Sequence, residues 1–143
     1  MITIKEIMHG VTIISEDATV LEVAQIMEDK CTTAVLVESF GEVNGIITER
    51  DLVTKVMARA IDPRLVRASQ IMTPIIYTID AEEDITKAAI IMDRNNIRRL
   101  PVTKNGKIVG IVMTHDISKA MPYALHSRIS SMRTMDRNHY PEF

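Results

Sequence analysis

Gly45-Ile46-Ile47-Thr48-Glu49-Arg50-Asp51 decides how this chain is read. A short apolar run ends in a hydroxyl residue, and a carboxylate follows three residues later. The pattern returns once, as Gly110-Ile111-Val112-Met113-Thr114-His115-Asp116, 65 positions on from Gly45 to Gly110. A β-rich run that breaks into Thr-x-x-Asp is a strand turning into a helix start. Two such corners predict two copies of one fold unit, each with a carboxylate where a ligand can meet it.

Outward from the corners, the chain passes twice through one order of elements. Ile4, Ile7 and Met8 stand at helical spacing ahead of the β-rich Val11-Thr12-Ile13-Ile14, and Ile71-Met72 with Ile75-Ile76-Tyr77 repeat that start. Ser15 to Thr19 is a polar break able to cap a helix. Val20, Val23, Ala24 and Met27 follow at i, i+3, i+4 and i+7, and Ile85, Ala88, Ala89 and Met92 repeat them, the spacing of an apolar helical face. Ala34-Val35-Leu36-Val37 and Leu100-Pro101-Val102 are buried-strand candidates. Gly41 and Gly106 turn the chain, and a second strand, Val43 to Ile47 in the first copy, leads into the corner. Leu52, Val53, Val56 and Met57 then mark a helix that ends near Asp62-Pro63, and Ile117, Ala120 and Met121 open its counterpart.

Helix face, turn glycine and corner recurring together outweigh any single motif. The expected fold class is α/β, two repeats of strand-helix-strand-strand-helix. Residues 1–62 form the first repeat, 63–122 the second, and 123–143 a C-terminal tail outside the pattern. Each unit is too small to cover its own sheet, so the two are expected to pack together. The run Ile85 to Met92 is apolar on more than one helical face, and such a helix is buried on two sides. A body this small has little interior to hide it, so these helices are expected to form a homodimer interface.

The bulk composition narrows the class. Apolar residues make up 46% and charged residues 25% of 143, an ordinary globular balance. The net charge of -2 offers no broad positive field to nucleic acid or an anionic membrane. One cysteine, Cys31, leaves no internal disulfide and fits a reducing, cytoplasmic setting. Charge at Lys5 and Glu6 interrupts any signal-peptide core, and no apolar run approaches the roughly 20 residues of a membrane helix. Ten methionines, against three tyrosines and two phenylalanines, predict an adaptable aliphatic core. Cys31 is expected to be a small buried hydrophobe rather than a nucleophile. His9, His126 and His139 lack metal-ligand spacing, so no metal site is expected. No catalytic set is assembled, and the chain is not expected to be an enzyme.

The residues Ile7-Met8, Ile71-Met72-Thr73-Pro74, Arg99-Leu100-Pro101-Val102, and the corner from Gly45 to Leu52 with its copy ending Asp116-Ile117 carry a family likeness. Over about residues 1–122 the chain resembles a CBS-domain pair, also called a Bateman module. The resemblance implies a pseudo-twofold α/β sandwich with clefts between the repeats. It implies an adenosine-containing ligand there: AMP, ADP, ATP or S-adenosylmethionine. It also implies dimerisation into a flat disc and a regulatory, sensing role.

By their chemistry alone, Thr48 and Asp51 form a capping box, which accounts for both residues. The same carboxylate can accept from the vicinal hydroxyls of a ribose, and amides at the helix start, with the Thr48 hydroxyl, favour a phosphate. The resemblance implies that Thr48 and Asp51 hold phosphate and ribose. The second corner departs from the pattern: Met113 stands where Thr or Ser is expected. Thr114 stands in for it if the turn shifts, and His115 is a further donor near the phosphate. Arg98 and Arg99 begin the second copy's middle strand, where the first copy has Thr33 and Ala34. Adjacent strand residues face opposite sides, so one arginine aims into a given cleft.

The resemblance implies that this arginine reaches the phosphate of the nucleotide held by the other repeat. The first site is therefore expected to comprise Thr12, Ile13, Ala34, Thr48, Asp51 and Arg98 or Arg99, with adenine against Thr12, Ile13 and Ala34. The second, weaker site comprises Thr33, Thr73, Ile76, Tyr77, Thr114, His115 and Asp116. The expected function is a stand-alone regulatory module that binds an adenosine nucleotide, AMP foremost, and signals to a regulated protein the sequence does not identify. The alternatives are a ligand-free interaction scaffold whose corners are only caps, and nucleic-acid binding through the arginines and a mildly basic tail.

Overall fold

Thr19 opens the first long helix with a reciprocal cap. In the computed structural model, which describes residues 1–121, the Thr19 hydroxyl accepts from Glu22 N at 3.2 Å and Glu22 Oε2 accepts from Thr19 N at 2.9 Å. The tail expected over 123–143, with Pro122, His126 and His139, lies outside the described residues. The described residues divide into two compact units, Val11–Ile75 and Met1–Gly10 with Ile76 to Met121.

The unit Val11–Ile75 begins with β1 (Ile13–Ser15), α1 (Val20–Lys30) and β2 (Ala34–Ser39). β1 and β2 are parallel, with Ile14 opposite Val37, and α1 supplies the crossover that parallel strands require. β3 (Glu42–Thr48) returns antiparallel through the two-residue turn Phe40-Gly41. Both turn residues have positive φ, 50° and 79°, the conformation whose twist suits a tight hairpin. Glycine adopts it without strain, which accounts for Gly41 and for its counterpart Gly106 at φ 77°. After the corner come α2 (Glu49–Asp51), a π-helical turn Leu52–Val56 and a 3-10 turn Met57–Arg59. The strand alternation of β2 and β3 turns Val35, Val37 and Ile47 to one face, where they pack with Val20, Val23 and Met27 of α1 and with Val56, Ala68 and Ile71.

The other unit repeats this order: β5 (Ile79–Asp80), α4 (Ile85–Asn95), β6 (Arg99–Lys104), β7 (Lys107–Met113) and α5 (Thr114–Ala120). Its first strand is not at Ile75-Ile76-Tyr77, as the apolar triplet suggested. Ile76 is 74% exposed, whereas Ile79 is 3% exposed and pairs with Val102 as Ile14 pairs with Val37. The triplet is apolar, but the ladder register belongs to Ile79. On α4, Ile85, Ala88 and Met92 are buried, Ala89 and Ile91 half-buried, and Ile90 exposed. Cys31 is also exposed, contrary to expectation. It caps the C-terminus of α1 in the left-handed conformation, φ 50°, and that cap position turns its side chain to solvent.

The lead-in segments pack in an order the repeats do not reveal. α3 (Ala68–Ile71) and β4 (Thr73–Pro74) open the second repeat, yet they belong to the unit of the first: β4 pairs with β3, and Ala68 N donates to Ala18 O. Correspondingly, the 3-10 turn Ile4–Glu6 and His9 pack in the unit of the second repeat. Ile4 N donates to Glu83 O, and His9 and Ile111 exchange both backbone hydrogen bonds. Two glycines make room for this. A Cβ at Gly45 would lie 2.4 Å from Met72 Sδ, and one at Gly110 would lie 2.7 Å from His9 O. No helix among the described residues is long and apolar enough to cross a membrane.

Candidate functional site

The first corner is built at the junction of β3 and α2. Thr48 is the last residue of β3 and sits opposite Ala34. Its hydroxyl accepts from Asp51 N at 3.4 Å, and Asp51 Oδ2 accepts from Thr48 N at 2.8 Å and from Thr48 Oγ1 at 3.2 Å. The capping box read from the sequence is formed, and Asp51 is 4% exposed. Its other oxygen, Oδ1, faces the Lys55 ammonium at 3.1 Å. Thr12 and Ile13 lie beside the same strands: Thr12 O accepts from Leu36 N, and Ile13 pairs with Leu36. Thr12, Ile13, Ala34, Thr48 and Asp51 thus share one unit. Arg98 and Arg99 belong to the other, where Arg99 pairs with Met113 and Arg98 O accepts from Thr114 N.

The second corner keeps the carboxylate and loses half the cap. Asp116 Oδ2 accepts from Met113 N at 2.8 Å, but Met113 has no hydroxyl to return. Thr114 does not take its place. Its hydroxyl is buried and donates to Arg98 O at 3.1 Å, so the turn has not shifted and this side chain points into the unit. His115 is exposed. Asp116 Oδ1 is held by His9 Nε2 at 2.5 Å. Of the residues expected around this corner, Ile76, Tyr77, Thr114, His115 and Asp116 share its unit. Thr33 and Thr73 belong to the unit of the first corner. There Thr33 O accepts from Glu49 N, and Thr73 Oγ1 lies 3.5 Å from Lys55 Nζ.

Lys55 and His9 were missed in the sequence. Lys55 carried a faint signal, four residues after Asp51 on one helical face. His9 carried one only through the repeats: it follows Ile7-Met8 as Thr73 follows Ile71-Met72. Among the described residues, no group of three or more His, Cys, Asp or Glu is placed to hold a metal ion.

Known proteins share this fold. The family model described as CBS domain matches twice, over residues 4–58 and 68–123. Hypoxic response protein 1 of Mycobacterium tuberculosis is 32% identical over 124 residues, which are 85% of this chain and 87% of that protein. A crystal structure of hypoxic response protein I with two coordinated zinc ions matches with a TM-score of 0.72 at 31% identity, over 85% of this chain and 100% of that one. The hexameric CBS-CP12 protein from bloom-forming cyanobacteria matches with a TM-score of 0.75 at 28% identity, over 96% of this chain and 81% of that one. The chain belongs to the CBS-domain family. It carries two CBS domains, and modules of this kind are generally regulatory and ligand-binding.

Proposed function

We propose that this CBS-domain pair binds an adenosine nucleotide, AMP foremost, through the Asp51 corner and passes its occupancy to a regulated protein. The observation that carries the reading is the fixed carboxylate. The cap holds Asp51 Oδ2 on Thr48, so the orientation of Oδ1 is set before any ligand arrives. A carboxylate so oriented suits the vicinal hydroxyls of a ribose, which AMP, ADP, ATP and S-adenosylmethionine share. The family resemblance assigns the phosphate to Thr48 with Arg98 or Arg99, and the adenine to Thr12, Ile13 and Ala34. The Asp116 corner is the weaker site, because Met113 has no hydroxyl and Thr114 uses its own on Arg98 O.

A ligand at 100 times its Kd is expected to add about 2.7 kcal/mol of stability, read as a rise of several degrees in Tm. Asp51→Ala removes that rise. No shift with any of the four ligands at millimolar concentration would sink the reading. The completed cap favours a second reading, an interaction scaffold without a small ligand. There Asp51→Ala costs about 1 kcal/mol with nucleotide or without it.

The outward face of α4 supports self-association as a homodimer. Ile90 is 43% exposed beside half-buried Ala89 and Ile91, an apolar face that a second copy would cover. Sedimentation should give twice the monomer mass, and a clean monomer at micromolar concentration would argue against it. A reducing, cytoplasmic setting suits the free, exposed Cys31.

A further inference from the structure

Each corner carboxylate is held by a side-chain nitrogen on the oxygen that its cap leaves open. In the first corner this is Lys55, 3.1 Å from Asp51 Oδ1. In the second it is His9, 2.5 Å from Asp116 Oδ1. The two side chains come from non-equivalent positions. Ala120 stands 65 positions after Lys55, and Thr73 stands where the second lead-in matches His9.

Both side chains nevertheless tie the carboxylate to a lead-in segment. Lys55 Nζ also donates to Ile71 O at 2.9 Å and to Thr73 Oγ1 at 3.5 Å, so the three protons of its ammonium are spread between Asp51 and the α3–β4 lead-in. His9 is itself lead-in and exchanges backbone hydrogen bonds with Ile111. Lys55 stands in the π-helical turn Leu52–Val56, a rare geometry that concentrates at functional sites. The corresponding stretch of the second unit runs in the regular helix α5. Each lead-in is also the piece of chain that ends where one unit passes to the other, at Ile75–Ile76 and at Gly10–Val11.

We propose that Lys55 and His9 are latches that hold the corner carboxylates closed onto the lead-in segments, and that a vicinal-diol ligand takes Asp51 only by displacing Lys55 and loosening its lead-in. The displacement half rests on the ribose reading of the corners. It follows from the oxygens available. Asp51 Oδ2 already accepts twice, from Thr48 N and Oγ1, whereas Asp116 Oδ2 accepts once, from Met113 N. The two hydroxyls of a diol therefore need both lone pairs of Asp51 Oδ1, one of which faces the Lys55 ammonium. Occupancy at that corner then becomes a change in the segment that joins the units.

Amide hydrogen exchange on the ligand-free full chain tests the latch by itself. Lys55→Met keeps the stem and removes the ammonium. It should speed exchange of the Met72 and Ile75 amides roughly tenfold, the weight of one charge-assisted hydrogen bond, and leave the Ile4 amide unchanged. His9→Ala should do the reverse, speeding Ile4 and Ile111 and sparing Met72 and Ile75. Lys55→Arg, which keeps a cation, should restore slow exchange. Unchanged exchange in both Lys55→Met and His9→Ala overturns the latch whatever nucleotides do. AMP titration tests displacement: Lys55→Met should bind several-fold tighter than the parent chain. Weaker binding overturns the proposal, because Lys55 would then be a ligand contact. If AMP binds neither protein, the displacement half falls with the ribose reading, and the exchange result alone decides the latch.

Discussion

Ile47→Ala is expected to lower the unfolding free energy by about 2–5 kcal/mol, the range for removing a large aliphatic side chain from a packed core. Ile47 has no exposed surface and stands on β3 one residue before the Thr48 cap. It packs in one cluster with Val23 and Met27 of α1, Val35 of β2, and Val56 and Ile71. Those neighbours come from four separate stretches of chain, so they cannot all close on the space the side chain leaves. The cavity term therefore adds to the lost transfer term. Ile47→Val removes one methyl group and should cost about 0.5–1.5 kcal/mol. Ile13→Ala is the control: the same residue type on β1, but 42% exposed, with an expected change far smaller than that of Ile47→Ala. Urea midpoints at unchanged slope would measure all three. A cost below that of Ile13→Ala would mean that this face of β3 is not the core of its unit.

Gly110→Ala is expected to cost about 1–3 kcal/mol, as overpacking does when the neighbour cannot move aside. The new Cβ would meet His9 O at 2.7 Å and Met8 Sδ at 3.0 Å. The first contact decides the outcome, because His9 O is a backbone carbonyl that accepts from Ile111 N. Relief requires the lead-in around His9 to leave β7. The equivalent Gly45→Ala meets Met72 Sδ at 2.4 Å and Met72 Cγ at 3.0 Å, the end of a flexible side chain. The closer approach should thus be the cheaper one. Double-mutant cycles separate the two cases. Met72→Ala should recover much of the Gly45→Ala loss, whereas Met8→Ala should recover little of the Gly110→Ala loss. Equal rescue in both cycles would contradict the backbone contact at Gly110.

These two sites also show what could be read without the structure. Ile47 was legible: apolar, on a β-rich run, immediately before a Thr-x-x-Asp helix start. Gly110 was legible only as a repeat of Gly45. Its reason, the close approach of His9, involves residues about a hundred positions apart, and no local pattern carries that distance. The same holds at the corners. The Thr48–Asp51 cap is a local hydrogen-bond pattern and was read in full, as was the missing hydroxyl at Met113. Whether Thr114 could stand in for the missing hydroxyl hung on the turn, and its bond to Arg98 O depends on the pairing of β6 with β7. Cys31 was misjudged because its exposure follows from the left-handed cap of α1, a backbone state that the residue type does not announce.

By itself, then, the amino-acid sequence determined the two repeats, their strand and helix order, the tight glycine turns and the capped corners. All of these rest on the periodicity of side chains over a few residues and on hydrogen bonds between near neighbours. Only the tertiary structure decided that each lead-in packs with the other repeat's sheet, and that Lys55 and His9 occupy the free oxygens of Asp51 and Asp116. The physical reason is one and the same. Ile7-Met8 and Ile71-Met72 are nearly interchangeable as sequence, so either could lie beside either glycine. What selects the partner is the set of backbone hydrogen bonds that β4 makes with β3 and His9 makes with Ile111 of β7, and these exist only once the chain has folded.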